Sequence, residues 1–115
     1  MARGSVGSVV VSLSAQRNRY ILYSLTRHAE NAPMGVEVLA REVAGLEHGI
    51  APESVPDETF ESVLDDLSQN SLPTLSYRGL VEYDPLSGLV GRPRYSLTAE
   101  TLVSLLTRIE LGWLS

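Results

Sequence analysis

The sequence predicts a mainly α fold with a small β-hairpin, an α+β domain built on a three-helix core with a further helix at the C-terminus. Three observations lead there. Apolar residues recur at helical spacing in separate stretches along the chain. After Gly79 that period gives way to short extended runs set off by glycine and proline. A chain of 115 residues with 43% hydrophobic content makes one domain with a real core.

The stretch from Thr59 to Asp84 sets the frame for the rest. Phe60, Val63, Leu64 and Leu67 form a helical stripe that runs into Leu72 and Leu75. Gly79 then stops the helix as a left-handed C-cap, and an extended run begins at once at Leu80–Tyr83.

Taken from the start, residues 1–13 are rich in Gly, Ser and Val, lack a helical period and read as a flexible arm. Their apolar run is only about five residues, too short for a signal peptide. Ser14 can cap a helix beginning at Ala15, whose face carries Tyr20, Ile21, Ser24, Leu25 and His28 with Leu22 on the flank. Asn31-Ala32-Pro33 ends it, because a residue before proline is pushed out of the α region. Met34-Gly35 is an extended link with room for one ladder pair. A second helix runs from Val36 to about Glu47, with Leu39, Val43 and Leu46 inward and Ala40 and Ala44 allowing close approach. Gly45 and Gly49 loosen its end, and His48–Pro56 is a loop.

The third helix starts near Asp57, with Asp57, Glu58 and Glu61 where the helix dipole favours acids. Pro73 cannot donate to the residue four back, so a kink or restart is expected near Ser71–Leu72, with Ser71 as cap. Leu80–Tyr83 and Arg94–Leu97 are the expected strands, with Asp84–Gly88 an expected turn and Gly88–Pro93 the expected hairpin tip. Thr98 caps a last helix whose Leu102, Leu105, Leu106, Ile109 and Trp113 form one stripe. A stripe this apolar must be covered by its own domain or by a partner.

Charge narrows the function classes. All nine basic residues are arginine, against fourteen acids, for a net charge of −5. A balance of this kind keeps a protein soluble and repels polyanions. The excess is local: His48–Leu86 holds one arginine and eight acids, a net −7, while the segments on either side are each +1. There are no cysteines, and His28 and His48 stand alone, so no metal and no cofactor are expected. Asp65 and Asp66 are adjacent on a helix and point in different directions, and no nucleophile motif or phosphate loop accompanies them. An enzyme is therefore not expected. No apolar run approaches the roughly 20 residues of a membrane span, so a cytoplasmic protein is expected.

The order helix, helix, helix, hairpin, helix resembles ArsR-like winged helix-turn-helix proteins, and more narrowly a haloarchaeal winged-helix family of unknown function. The matching segments are L-S-A-Q-R-N-R-Y-I-L-Y-S-L, V-L-A-R-E-V-A and L-P-T-L-S-Y-R-G-L-V-E-Y-D, within Leu13–Leu97. The resemblance implies a winged helix-turn-helix domain over residues 14–97 and a C-terminal helix over 98–115. It further implies transcriptional regulation through double-stranded DNA. Base-reading candidates on the third helix are Gln69, Asn70, Ser71, Thr74, Tyr77 and Arg78, with Ser68 beside them; Arg92 and Arg94 would grip the backbone from the wing. Each could equally be ordinary exposed surface. Leu102, Leu105, Leu106, Ile109 and Trp113 are the candidate homodimer interface. Arg17 and Arg19 could meet phosphates or pair with acids of the third helix. The chain departs from the resemblance in one respect. The first half of its third helix, D-E-T-F-E-S-V-L-D-D, has no basic residue. The alternative is therefore a protein–protein module that uses this acidic face.

Overall fold

A computed structural model describes residues 15–28, 33–91 and 110. Helix α1 (Gln16–His28) is followed by β1 (Met34–Gly35), α2 (Val36–His48) and a 3-10 turn at Pro52–Ser54. Then come α3 (Asp57–Asp66), a π-helical turn at Leu67–Ser71, α4 (Leu72–Tyr77), β2 (Glu82–Asp84) and β3 (Leu89–Gly91). The protein is mainly helical, with one three-stranded antiparallel sheet in the order β1-β3-β2. Among the described residues no helix is long and apolar enough to cross a membrane.

The core is richest on α1. Tyr20, Ile21, Leu22, Tyr23, Ser24 and Leu25 are all buried. Six consecutive buried residues go more than once around a helix, so α1 is enclosed, whereas its apolar spacing predicted a one-sided stripe. His28, expected on that stripe, is exposed beyond the enclosed turns. Helix α2 packs on α1 and α3, with Leu39, Ala40, Val43 and Ala44 buried.

Gly49 ends α2 in the left-handed conformation (φ 66°), its N–H bonded to the Gly45 carbonyl. The chain then folds back so closely that a Cβ at Gly45 would stand 2.7 Å from the Ile50 carbonyl oxygen. This close return carries the loop to Val55, which is buried, and so sets where α3 begins.

A kink or restart was expected near Ser71–Leu72, and α-helical bonding does resume at Leu72, after a π turn and without the expected cap. Ser71 is helical (φ −66°, ψ −51°) and its side chain caps no helix. The chain instead widens by one residue, the Leu72 N–H bonding to the Leu67 carbonyl five residues back. In a regular α-helix the Pro73 ring would strike the Gln69 carbonyl, and no N–H would be there to bond it. A π turn relieves both problems without breaking the helix. The far end closes as a Schellman motif around Gly79 (φ 77°): Leu80 N–H bonds to Leu75 C=O, and Gly79 N–H to Ser76 C=O.

The hairpin turns at Asp84–Gly88 as expected, but its strands and tip differ. Strand β2 begins two residues later than predicted, and β3 occupies the residues expected at the tip. The Asp84 side chain decides this. It accepts hydrogen bonds from the Leu86 N–H and the Ser87 hydroxyl, each at 3.0 Å, while Gly88 N–H bonds to the Asp84 carbonyl at 2.8 Å. The reversal is thus complete by Gly88, and Val90, fully buried, pairs with Tyr83 on one side and Met34 on the other. Met34 and Gly35 each take a partner, Val90 and Leu89, where one ladder pair was expected. The tip consists of Asp84, Pro85, Leu86 and Ser87 and carries no arginine. Arg92 and Arg94 come after β3 in the sequence. They lie outside the described residues, as do the expected strand Arg94–Leu97 and the stripe residues Leu102, Leu105, Leu106, Ile109 and Trp113.

Candidate functional site

From Leu67 to Arg78 the chain has two faces. Leu67, Leu72 and Leu75 are fully buried, which leaves Gln69, Asn70, Pro73, Thr74 and Tyr77 exposed on the opposite side. Ser71 and Arg78 lie at its margin, half-buried, as does Ser68. The structure therefore brings together the candidates on this helix in one patch. Its exposed members are uncharged, and Tyr77 is 78% exposed.

The preceding helix presents a different surface. Asp57, Glu58, Glu61 and Asp65 are exposed on α3, the 57-61-65 spacing placing three of them in one row. Asp66 does not join them. Its Oδ2 accepts from Arg17 Nη1 at 3.0 Å and from the Ser71 hydroxyl at 3.1 Å, and its Oδ1 accepts from Asn70 Nδ2 at 3.0 Å. Partial burial works to raise the Asp66 pKa, but the bonds from Arg17, Asn70 and Ser71 outweigh it and hold the carboxyl below its usual range.

Arg17 joins three helices. Its Nε and Nη2 take both Glu47 oxygens at 2.6 and 2.8 Å, the two-pronged geometry that suits a guanidinium, while Nη1 reaches Asp66. The hydrogen bonds to Glu47 raise the Arg17 pKa most; desolvation opposes them, and Asp66 adds a smaller upward effect. Of the two roles open to Arg17, the structure shows the pairing one.

Arg19 contributes Nε and Nη2 to Glu110 at 2.9 and 3.3 Å, and the Tyr23 hydroxyl donates to Glu110 Oε1 at 2.7 Å. The hydrogen bonds from Arg19 lower the Glu110 pKa most. Burial raises that of Tyr23, and its bond to Glu110 adds to the effect. Helix α1 thus holds position 110 of the C-terminal segment. Elsewhere Arg41 stacks over the Phe60 ring at 4.1 Å, and His28 Nε2 lies 2.6 Å from Glu42 Oε1. Among the described residues no group of three or more His, Cys, Asp or Glu could hold a metal ion.

Sequence reasoning allowed for Arg17 pairing with an acid of the third helix, as it does with Asp66, but missed Glu47 and Glu110 as partners of Arg17 and Arg19. The 66–70 spacing is a helical i, i+4 signal for Asp66 and Asn70. Nothing local could link Arg17 to residues 30 and 49 positions away.

Fold and site define a small, mainly helical domain with a three-stranded antiparallel sheet and an uncharged polar face on its last described helix. The chain belongs to the family described as a domain of unknown function (DUF7344), which matches residues 11–91 and so ends with the last residue of β3. No curated protein and no solved structure matches it.

Proposed function

We propose that this protein is a winged helix-turn-helix transcription regulator of ArsR-like type that reads double-stranded DNA with the π turn and α4. The observation that carries this reading is the sheet order. The short strand between the first two helices joins the hairpin as β1-β3-β2, the arrangement of a winged helix, and α3–α4 is then its recognition helix. Gln69, Asn70, Thr74 and Tyr77 supply hydrogen-bonding groups for base edges, with Ser71 and Arg78 at the margin. Arg92 and Arg94, just after β3, supply phosphate contacts. The regulator works in the cytoplasm as a homodimer joined through Leu102, Leu105, Leu106, Ile109 and Trp113, and a haloarchaeal setting suits its lysine-free acidic composition.

The acids in the first turns of α3 do not defeat this docking. At 1.5 Å per residue Asp57 lies about 25 Å along the axis from Thr74, roughly three Debye lengths at physiological salt. Asp65 is nearer, at about 14 Å from Thr74 and only about 6–8 Å from Gln69 and Asn70, within one such length, so at that end of the patch it opposes the docking. Concentrated salt shortens the range further.

A second reading rests on the same acids. Asp57, Glu58, Glu61 and Asp65 are exposed, and Arg17, the arginine that reaches α3, bonds Asp66 instead. That favours a protein–protein module whose α3 face receives a basic partner. Genome-wide DNA pull-down of the tagged protein in its native host, at native intracellular salt, separates the two. Discrete peaks sharing a palindromic motif, lost in a Thr74→Ala/Tyr77→Ala variant that still folds, support the regulator. No DNA enrichment, with a protein partner recovered through α3, overturns it.

A further inference from the structure

We infer that Asn70 reads an adenine in the major groove and that Asp66 is the positioning residue that presents it; this rests on the DNA-reading proposal above. The argument begins with the π turn. In a regular α-helix residue i+5 stands about 140° around the axis from residue i, out of reach of a side chain that already meets i+4. Widening the turn to i→i+5 bonding brings both neighbours beside residue i. Asp66 therefore meets Asn70 and Ser71 together, one on each carboxylate oxygen, at 3.0 and 3.1 Å. The helix irregularity that Pro73 requires is thus cross-linked by one side chain.

The chemistry of that cross-link fixes which way the Asn70 amide points. An ionised carboxylate only accepts, so Asn70 must turn Nδ2 toward Asp66. One Nδ2 hydrogen is used there. The other, together with the Asn70 carbonyl oxygen, remains for a ligand on an exposed side chain. One donor and one acceptor side by side is what the N7 and N6 edge of adenine takes from an asparagine. Asp66 is itself held from behind by Arg17, which is anchored on Glu47. Orientation thus passes from α1 and α2 to the reading residue, and the adjacent arginine offsets the Asp66 charge that would otherwise repel phosphate.

Two measurements on the full chain test this. In the free protein, the Asn70 side-chain amide signals are followed by NMR while Asp66 is titrated with acid. They should move with the Asp66 carboxyl and lose their protection from exchange as it protonates; signals indifferent to it mean that no such positioning exists. In parallel, bound sequences are selected from a random duplex library by the wild type, Asn70→Ala, Asp66→Ala and Asp66→Glu. The wild type should require adenine at one position per half-site. Asn70→Ala should lose that preference by about 5- to 150-fold, the range of a bidentate base contact. Asp66→Ala should lose the same preference at the same position while the salt dependence of binding, which counts phosphate contacts, stays as in wild type. Asp66→Glu should restore part of it.

A preserved adenine preference in Asp66→Ala, or in Asn70→Ala, overturns the inference and leaves DNA reading intact. If NMR shows the coupling but no sequence is selected by any form, DNA reading itself fails, and the adenine assignment fails with it.

Discussion

Replacing Gly45 by alanine tests how closely the α2 exit loop is packed, because helix propensity and tertiary packing predict opposite signs. An interior helical glycine is worse than alanine by about 1 kcal/mol, so propensity alone predicts a gain. In the structure, however, the new Cβ would stand 2.7 Å from the Ile50 carbonyl oxygen and 3.3 Å from the Pro52 nitrogen. Both are backbone atoms and cannot rotate away. Ordinary contact begins near 3.4 Å, so the loop must retreat by about 0.7 Å. That retreat works against the Ile50 N–H bond to the Gly45 carbonyl at 3.0 Å. Overpacking costs about 1–3 kcal/mol and a weakened backbone hydrogen bond up to about 1 more. Subtracting the helical gain leaves a net loss of up to about 3 kcal/mol. At roughly 4 °C per kcal/mol for a chain of this size, Tm falls by up to about 12 °C. Urea denaturation with linear extrapolation measures it. Gly35→Ala is the control: nothing lies within 4 Å of its Cβ and φ is −69°, so it should be near neutral. A Gly45→Ala variant more stable than wild type by the roughly 1 kcal/mol that propensity alone predicts would refute the close return of the loop and with it this account of how α3 is placed.

Two further outcomes follow from the same structure. Ser24 is 1% exposed and its hydroxyl has no hydrogen-bond partner among the described residues, so Ser24→Ala should stabilise the protein by about 1 kcal/mol, seen as a higher urea midpoint at unchanged slope. For pH, Asp66 and Glu110 are both held below their ordinary values of 3.8 and 4.5. A carboxylate whose folded pKa is depressed adds stability above its unfolded pKa and loses it as pH falls through the folded one. Stability should therefore fall from about pH 4.5 downward. Asp66→Asn should lower it at neutral pH and flatten the acid slope, and an identical slope in the variant would sink the Arg17–Asp66–Asn70 linkage.

The difference between the helix ends and the hairpin shows what local signals carry. The start of α3 at Asp57 and the stop of α4 around Gly79 were legible because caps, dipole complements and left-handed glycines act within a turn of the residues that show them. The hairpin was misplaced although all its residues were in view. Gly88 and Gly91 both looked like tip residues; what chose between them was the Asp84 side chain closing the turn early, and the burial of Val90 between two strands, one of them 56 positions away. Pro73 likewise announced an irregularity without saying which kind. A capped restart and a widened turn both remove the clash, and the widened turn keeps Leu67, Leu72 and Leu75 on one buried face.

The sequence by itself determined the class: helix periods, breakers and caps are short-range, and they suffice for a mainly helical chain with a small antiparallel sheet. It also located the polar residues of the last described helix. Only the tertiary structure decided that α1 is enclosed, that the hairpin tip carries no arginine, and that Asp66 bonds Arg17 while Asp57, Glu58, Glu61 and Asp65 face solvent. Those outcomes depend on which surfaces meet. Arg17 finds partners 30 and 49 residues away, and no property of a segment read alone encodes where a distant carboxylate will stand.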